Sequence, residues 1–202
     1  MSTTKKLTIA VVALALSLVL VVGGTLAYLV AESNSVTNTF TYGDVQIELW
    51  ETDLSGKKTD KGVVYPNIVP GDAVDKNPTV TVTANSEACY VYVMVTNGMV
   101  LDGKTIATYT PNSAWTKVGE SGTTSLYCYN EIVPKADTNT DLTAVFNELT
   151  FDSALTVSDI EKLKENADAK ITVNAYAHQA DNTTVDVANA AAKEWAGITA
   201  AN

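Results

Sequence analysis

The sequence predicts an all-β fold, an antiparallel β-sandwich of the jelly-roll type with one or two short surface helices. Short stretches of alternating apolar and polar residues recur after residue 43, as strands with one buried face require. Turn sequences such as Asn97-Gly98 and Asp102-Gly103 separate them. Thr, Val, Asn and Tyr, which favour strands and turns, are abundant. We therefore predict a single β-sandwich domain over residues 44–202.

The N-terminus has the three parts of an export signal. Lys5 and Lys6 precede an uncharged apolar run over residues 7–22, and small residues follow it. We predict a signal peptide over residues 1–27 that is removed on export. The predicted cleavage residues are Thr25, Ala27 and Tyr28. The alternative is a retained membrane anchor, because the apolar run counted through Val30 is long enough to span a bilayer.

Cleavage leaves an N-terminal arm over residues 28–43. Its apolar side chains flank a polar stretch and belong to Tyr28, Leu29, Val30, Val36 and Phe40. An apolar arm on a secreted domain needs a cover, and a sheet edge offers unpaired N–H and C=O groups. We predict that the arm of one copy adds as a strand to the next copy, a head-to-tail contact that can propagate into a filament. The alternative is an arm that folds back on its own sheet or stays disordered.

The strands are predicted from alternation. Residues 45–49 and 79–83 alternate cleanly, whereas residues 88–96 are apolar on both faces and should form a central strand. Further strands are predicted at 63–65, 105–109, 114–118, 124–133 and 170–177, and residues 144–151 fit either a strand or a loop. A loop is predicted over residues 53–62 and a turn at Pro70-Gly71.

Two stretches have a helical pattern. Residues 156–167 place apolar side chains at helical spacing behind a capping residue, either Thr156 or Ser158. Residues 185–195 are rich in Ala, a strong helix former. We predict that both stretches are short helices on the surface of the sandwich.

The two cysteines, Cys89 and Cys128, each lie in an apolar strand candidate. Export permits a disulfide between them, but each can equally be a small core residue. The sequence leaves both alternatives open, because it does not give the distance between the two Cα atoms.

The charge of the chain excludes some partners. Its 13 basic residues are all Lys, and 23 acidic residues bring the net charge to −10. An acidic surface without Arg is a poor partner for nucleic acid or anionic lipid. We therefore expect contact with a membrane only through the leader, before cleavage.

The sequence contains no recognisable catalytic or cofactor-binding motif. His178 is its only histidine, whereas a catalytic zinc normally has three protein ligands. Part of the spacing of a calcium loop is present at Asp137, Asn139, Asp141 and Glu148. Leu142 occupies the position where such a loop needs Gly, so an ordinary acidic loop is the favoured interpretation. We predict no enzyme activity, no cofactor and no metal site.

Several short motifs resemble a known family. Gly23-Gly24-Thr25-Leu26-Ala27-Tyr28 is followed by Phe40, Gly43 and the alternating Val45, Ile47 and Leu49, and later by Ile68-Val69-Pro70-Gly71-Asp72. These motifs resemble the SipW-dependent exported proteins of Gram-positive bacteria, the TasA/camelysin (CalY) family. The resemblance implies a signal peptidase of the SipW type as a partner and a place in the fibres of the biofilm matrix. The name camelysin also implies a protease.

Residues and resemblance together lead us to expect a secreted structural protein of the extracellular biofilm matrix or cell surface. It would assemble into fibres, or decorate them, by donating its N-terminal strand, either alone or with other matrix proteins. Two alternatives stay open. One is a camelysin-like metalloprotease at the cell surface, and the other is a membrane-anchored surface domain for binding or adhesion.

Overall fold

Short strands make up most of the fold in the computed structural model of the protein. The structure describes residues 44–52, 57–59, 62–64, 68–166 and 169–198. The strands in these ranges are β1 Ile47–Trp50, β2 Lys57–Thr59, β3 Gly62–Val64, β4 Ala73–Asp75, β5 Thr79–Val82, β6 Cys89–Asn97, β7 Val100–Leu101, β8 Lys104–Thr105, β9 Ala107–Thr108, β10 Trp115–Ser121, β11 Thr124–Tyr129, β12 Thr140–Asp141, β13 Glu148–Phe151 and β14 Ile171–Gln179. The helices in the same ranges are α1 Val157–Glu165 and α2 Val185–Trp195.

Antiparallel ladders connect the strands into sheets. The central sheet has the order β10-β11-β6-β14, and two smaller sheets have the orders β1-β5-β12 and β4-β13-β9. β2 pairs with β3, and β7 pairs with β8, as hairpins. The predicted all-β antiparallel fold with short helices is therefore confirmed.

The predicted central position of residues 88–96 is also confirmed. β6 lies between β11 and β14, and its residues Cys89, Val91, Val93 and Val95 are 0% exposed. Tyr92, on the opposite face of the strand, is 0% exposed as well. A strand that is covered on both faces needs apolar residues at successive positions, and this is the pattern of β6.

The main core lies between the central sheet and the β1-β5-β12 sheet. Val80 and Val82 of β5 pack there against the core-facing residues of β6. Other members of this core are Trp115, Tyr127, Val133, Leu142, Val145 and Phe146. Side chains from two sheets thus fill one apolar layer, as in a sandwich.

Helix α2 covers the opposite face of the central sheet, and its bounds agree with the predicted helix. Ala188 and Ala192 are fully buried and pack in one cluster with Tyr92 and Cys128 of the sheet. The Tyr92 hydroxyl donates a hydrogen bond to Asn189 Oδ1 at 2.9 Å. This bond gives the hydroxyl of a buried tyrosine an acceptor on α2.

Helix α1 begins at one of the two predicted caps. The Thr156 side chain accepts a hydrogen bond from the backbone N–H of Asp159, whose carboxylate accepts one from the Thr156 N–H at 2.9 Å. This reciprocal arrangement is a capping box. The hydrogen bonds from Thr156 also lower the pKa of Asp159.

The predicted turn at Pro70-Gly71 leads into β4. The Asp72 N–H donates to the Val69 carbonyl at 3.1 Å, and Gly71 has a φ of 83°. A Cβ atom on Gly71 would lie 3.3 Å from the Cβ of Ser153. The positive φ therefore favours glycine here, and a Cβ atom would also make a tight contact with Ser153.

The structure differs from the predictions mainly at short strands. β2 lies inside the predicted loop 53–62, and β4, β7 and β12 have no predicted counterpart. The predicted strand 124–133 ends at Tyr129, and the predicted strand 105–109 is divided between β8 and β9. The domain boundaries after residues 27 and 43 stay predictions, because residues 1–43 lie outside the described part of the chain.

Candidate assembly site

The predicted leader and arm lie outside the described residues. This holds for the cleavage residues Thr25, Ala27 and Tyr28 and for the other arm residues Leu29, Val30, Val36 and Phe40. The described part of the chain begins at Asp44, where the arm joins the domain. Among the described helices, none is long and apolar enough to cross a membrane.

The chain that leads into β1 is held by the loop before β6. The Asp44 carbonyl accepts a hydrogen bond from the Glu87 N–H, and the Gln46 carbonyl accepts one from the Thr83 N–H, both at 3.0 Å. The Gln46 N–H donates to Ser86 Oγ at 3.1 Å, and Ser86 is buried. The attachment of the arm is therefore fixed before β1 begins.

The far end of β1 is held by polar contacts. Trp50 Nε1 donates to Thr81 Oγ1 at 2.8 Å, and this hydroxyl donates to Asp141 Oδ1 at 2.5 Å. Directly after β1, Glu51 forms an ion pair with Lys76 at 2.6 Å, and both side chains are mostly buried. Removing one partner would leave a buried charge unpaired, so the pair strongly favours this path of the chain.

Among the described strands, none pairs with the outer edge of β14, which we call the open edge. β14 pairs with β6 on one side and has no strand on its other side in the part of the chain that the structure describes. Its core-facing side chains are only partly buried, although three of the β6 residues opposite them, Val91, Val93 and Val95, are fully buried. This half-covered row consists of Ile171, Val173, Ala175 and Ala177. A strand that adds to such an edge forms hydrogen bonds with its unpaired backbone groups and covers its half-covered apolar side chains.

Strand β1, which follows the arm attachment, lies close to β14. Cα atoms of β1 and β14 approach within 8 Å of each other, although the two strands belong to different sheets. Val45 and Ile47 pack against the same core as the half-covered row of β14. The described start of the domain therefore shares its core with β14.

The other edge of the central sheet is protected. β10 contains a bulge between Lys117 and Gly119, and Lys117 forms an ion pair with Glu120 at 2.9 Å. The hydrogen bond between these side chains raises the pKa of Lys117 and lowers that of Glu120. Bulges and charged side chains are common means of preventing strand addition. β14 is therefore the edge of the central sheet that is suited to a further strand.

In the structure Cys89 and Cys128 are free, buried thiols and not a disulfide. Cys128 pairs with Tyr92, which lies three positions after Cys89 on β6. Since successive side chains of a strand alternate between its faces, the two cysteines point to opposite faces of the sheet. Burial raises the pKa of Cys89 to about 11 and also raises that of Cys128.

The residues with calcium-loop spacing have other contacts. Asn139 Oδ1 accepts a hydrogen bond from the Ala84 N–H at 2.9 Å, and Asp141 accepts one from Thr81. Asp141 belongs to β12 and Glu148 to β13, so the segment is not one continuous loop. Within the described ranges, no group of three or more His, Cys, Asp or Glu side chains could hold a metal ion.

A comparison with models of known protein families shows the family to which the chain is related. A family model described as "Camelysin metallo-endopeptidase" matches residues 2–106, just over half of the 202 residues. The chain belongs to the camelysin family. The residues that match the camelysin family model include the predicted leader and arm and extend through strand β8. No curated protein and no solved structure matches the chain.

A metallo-endopeptidase, which the description of the camelysin family names, needs side chains that bind a metal ion. The matched residues contain no histidine, and His178 lies outside the match, near the end of β14. His178 Nδ1 is 2.9 Å from the Gln179 carbonyl oxygen, and its ring is T-shaped to the Tyr176 ring at 6.3 Å. In the described part of this camelysin-family chain, His178 is therefore a strand residue without a cluster of metal ligands around it.

Proposed function

We propose that this protein is a secreted structural protein without enzyme activity that assembles into, or decorates, fibres of an extracellular biofilm matrix. The observation that carries the proposal is the open, half-covered edge of β14 beside the attachment point of an apolar arm. The export signal and membership of the camelysin family support an extracellular location.

In the proposed assembly, residues 28–43 of one copy pair along β14 of the next copy. The arm backbone satisfies the outward N–H and C=O groups of β14, and its apolar side chains cover the half-covered row. Ala175 and Ala177 are small and leave room for larger side chains such as Phe40. Because the arm and the edge are different surfaces, the contact is head-to-tail and can continue indefinitely.

The same edge can accept the arm of its own copy, because β1 lies beside β14. Such a closed monomer and the fibre use equivalent contacts, as in domain swapping. Mass action then favours the fibre as the protein concentration rises. This relation keeps the proposed subunit soluble until it is abundant outside the cell.

Two complementary variants test the proposal. Deletion of residues 28–38 from the mature protein removes the donor, whereas Val173→Lys places a charge on the acceptor edge. Thr172→Lys, on the exposed outer face of β14, is the matched control and should polymerise normally. Neither test variant should form fibres by electron microscopy, although circular dichroism should show that both are folded.

A mixture of the two test variants should give dimers and no longer species, because only one donor and one acceptor remain compatible. Sedimentation velocity measures this directly. If the arm-deleted protein forms fibres as readily as the full mature chain, the arm is not the donor. If Val173→Lys is folded and still forms fibres, the open edge of β14 is not the acceptor.

We propose that the leader is removed before Tyr28 by a signal peptidase of the SipW type, which is then the first partner of the chain. The mature protein would be found in the medium and not in the membrane fraction. Intact-mass spectrometry of the secreted protein checks the cleavage site. A secreted mass that includes residues 7–22, or recovery only from membranes, would support the anchored alternative.

The second candidate function is a metallopeptidase, which the family description favours. Metal analysis and casein digestion of the purified mature protein test it, with His178→Ala as the variant. Because one histidine supplies a single zinc ligand, we expect no casein cleavage that depends on His178. A cleavage activity that disappears in folded His178→Ala protein would establish the metallopeptidase and overturn the proposed structural role.

A further inference from the structure

The outer face of β14 carries a second, different surface. Side chains that alternate with the half-covered row point away from the main core and toward the face on which α2 packs. These side chains are Thr172, Asn174, Tyr176 and His178. Thr172 and Asn174 are exposed, whereas Tyr176 and His178 are partly buried.

Trp195, at the end of α2, adds an indole ring to this face. The indole stacks on the Tyr176 ring with a centroid distance of 5.2 Å and an interplanar angle of 21°, and Trp195 stays 38% exposed. Tyr92 contacts Tyr176 from within the sheet at a centroid distance of 6.0 Å. The indole is therefore held by its stack on Tyr176 and remains partly exposed to solvent.

Charge restricts the ligands that this surface can accept. Burial, and to a smaller extent the charge of nearby Glu194, raises the pKa of the Tyr176 phenol. The whole chain has a net charge of −10 and no Arg. An anionic polymer would be repelled here, so a ligand without negative charge fits the surface better.

We propose that Trp195, Tyr176, Asn174 and Thr172 form a binding strip for an uncharged polysaccharide. A sugar ring packs its apolar C–H face on the Trp195 indole, where the aromatic surface supplies contact area. Sugar hydroxyls exchange hydrogen bonds with the Asn174 amide, which both donates and accepts, and with the Thr172 hydroxyl. Side chains two positions apart on a strand are about 7 Å apart, so an extended glycan can follow the strand.

Affinity electrophoresis of the mature, full-length protein tests the strip. Native gels contain one of three neutral polymers, a soluble β-glucan, a galactomannan or a xylan, and parallel gels contain anionic alginate or cationic chitosan. We expect retardation by at least one neutral polymer and none by alginate. Trp195→Ala should weaken this binding about tenfold, the size expected for loss of one stacked aromatic contact.

Trp50→Ala is the matched control, because Trp50 is also 38% exposed but lies on β1 in another sheet. It should bind as the wild type does. Asn174→Ala changes only an exposed strand residue and should weaken binding several-fold without affecting folding. Three outcomes would overturn the proposal: no retardation by any neutral polymer, equal binding by Trp195→Ala, Asn174→Ala and Trp50→Ala, or retardation by chitosan alone.

Discussion

Removal of the Asn189 side chain should loosen α2 without loosening the sandwich. Tyr92 is fully buried, and its hydroxyl donates to Asn189 Oδ1. In Asn189→Ala this hydroxyl loses its acceptor on α2 and keeps only the Cys128 side chain as a partner, at a cost of about 0.5–1.5 kcal/mol. The buried methyl groups of Ala188 and Ala192 contribute only about 0.8 kcal/mol each, so the loss is large for this helix. Because about 1.4 kcal/mol is a tenfold change in an equilibrium constant, α2 should open about 2- to 12-fold more often.

The two free cysteines report where the molecule opens. Cys128 lies in the cluster under α2, whereas Cys89 lies in the main core. Burial raises the pKa of both thiols, so alkylation requires that the surrounding structure opens first. In native iodoacetamide labelling, Asn189→Ala should accelerate modification of Cys128 by the factor above and leave Cys89 unchanged. Peptide mass spectrometry resolves the two sites.

Two further variants separate the hydrogen bond from other effects. Asn174→Ala removes an exposed amide from β14 and should leave both labelling rates unchanged. Adding Tyr92→Phe to Asn189→Ala removes the hydroxyl that has lost its acceptor on α2 and should restore part of the protection of Cys128. Equal acceleration of Cys128 and Cys89 would refute the idea that α2 opens separately. An unchanged Cys128 rate would show that this hydrogen bond does not hold the helix.

Three other predictions concern local structure. Gly71→Ala should lower the free energy of unfolding by about 1–3 kcal/mol in urea titrations. The loss should exceed that of Gly103→Ala, because both glycines have positive φ but only Gly71 is crowded. Equal losses for the two variants would contradict this reasoning. Lys104→Met should raise the pKa of Asp152 toward its ordinary value of 3.8 in an NMR titration, because the hydrogen bond from Lys104 lowers it. A carboxyl group whose pKa is lowered in the folded state stabilises the fold at pH values above its ordinary pKa. This stabilisation is lost as the pH falls through the folded pKa, so the variant should lose less stability in acid than the wild type. Thr156→Ala should cost α1 about 0.5–2 kcal/mol and accelerate its amide exchange, and unchanged exchange would rule out a role for the capping box.

Long periodic segments were predictable from the sequence. β6 and α2 extend over 9 and 11 residues, so a pattern of period two or of helical period is repeated several times. β7 and β12 contain two residues each, which is too short for any period. Such strands exist because a longer neighbour pairs with them: Thr140 of β12, for example, pairs with Val82 of β5. Their positions depend on tertiary structure and not on local sequence.

The candidate site was predictable only in part. An apolar arm can be recognised in the sequence, but the open edge of β14 depends on the order of strands in the sheet. Ser86, which holds the arm attachment, contacts Gln46 at a distance of 40 positions in sequence, and no local pattern indicates that contact. The free cysteines have the same origin, because the register of β11 against β6 decides which faces they occupy.

The way in which β1 is held determines how the domain would carry tension. A pull on Asp44 along β1 loads the antiparallel ladder between β1 and β5. The hydrogen bonds of such a ladder are perpendicular to the strands, so the pull strains all of them together instead of breaking them one by one. The bonds from residues 83–87 and the buried pair of Glu51 and Lys76 resist at the two ends of the same strand. A domain suspended by its arm would therefore yield in one abrupt step at high force and not by gradual peeling.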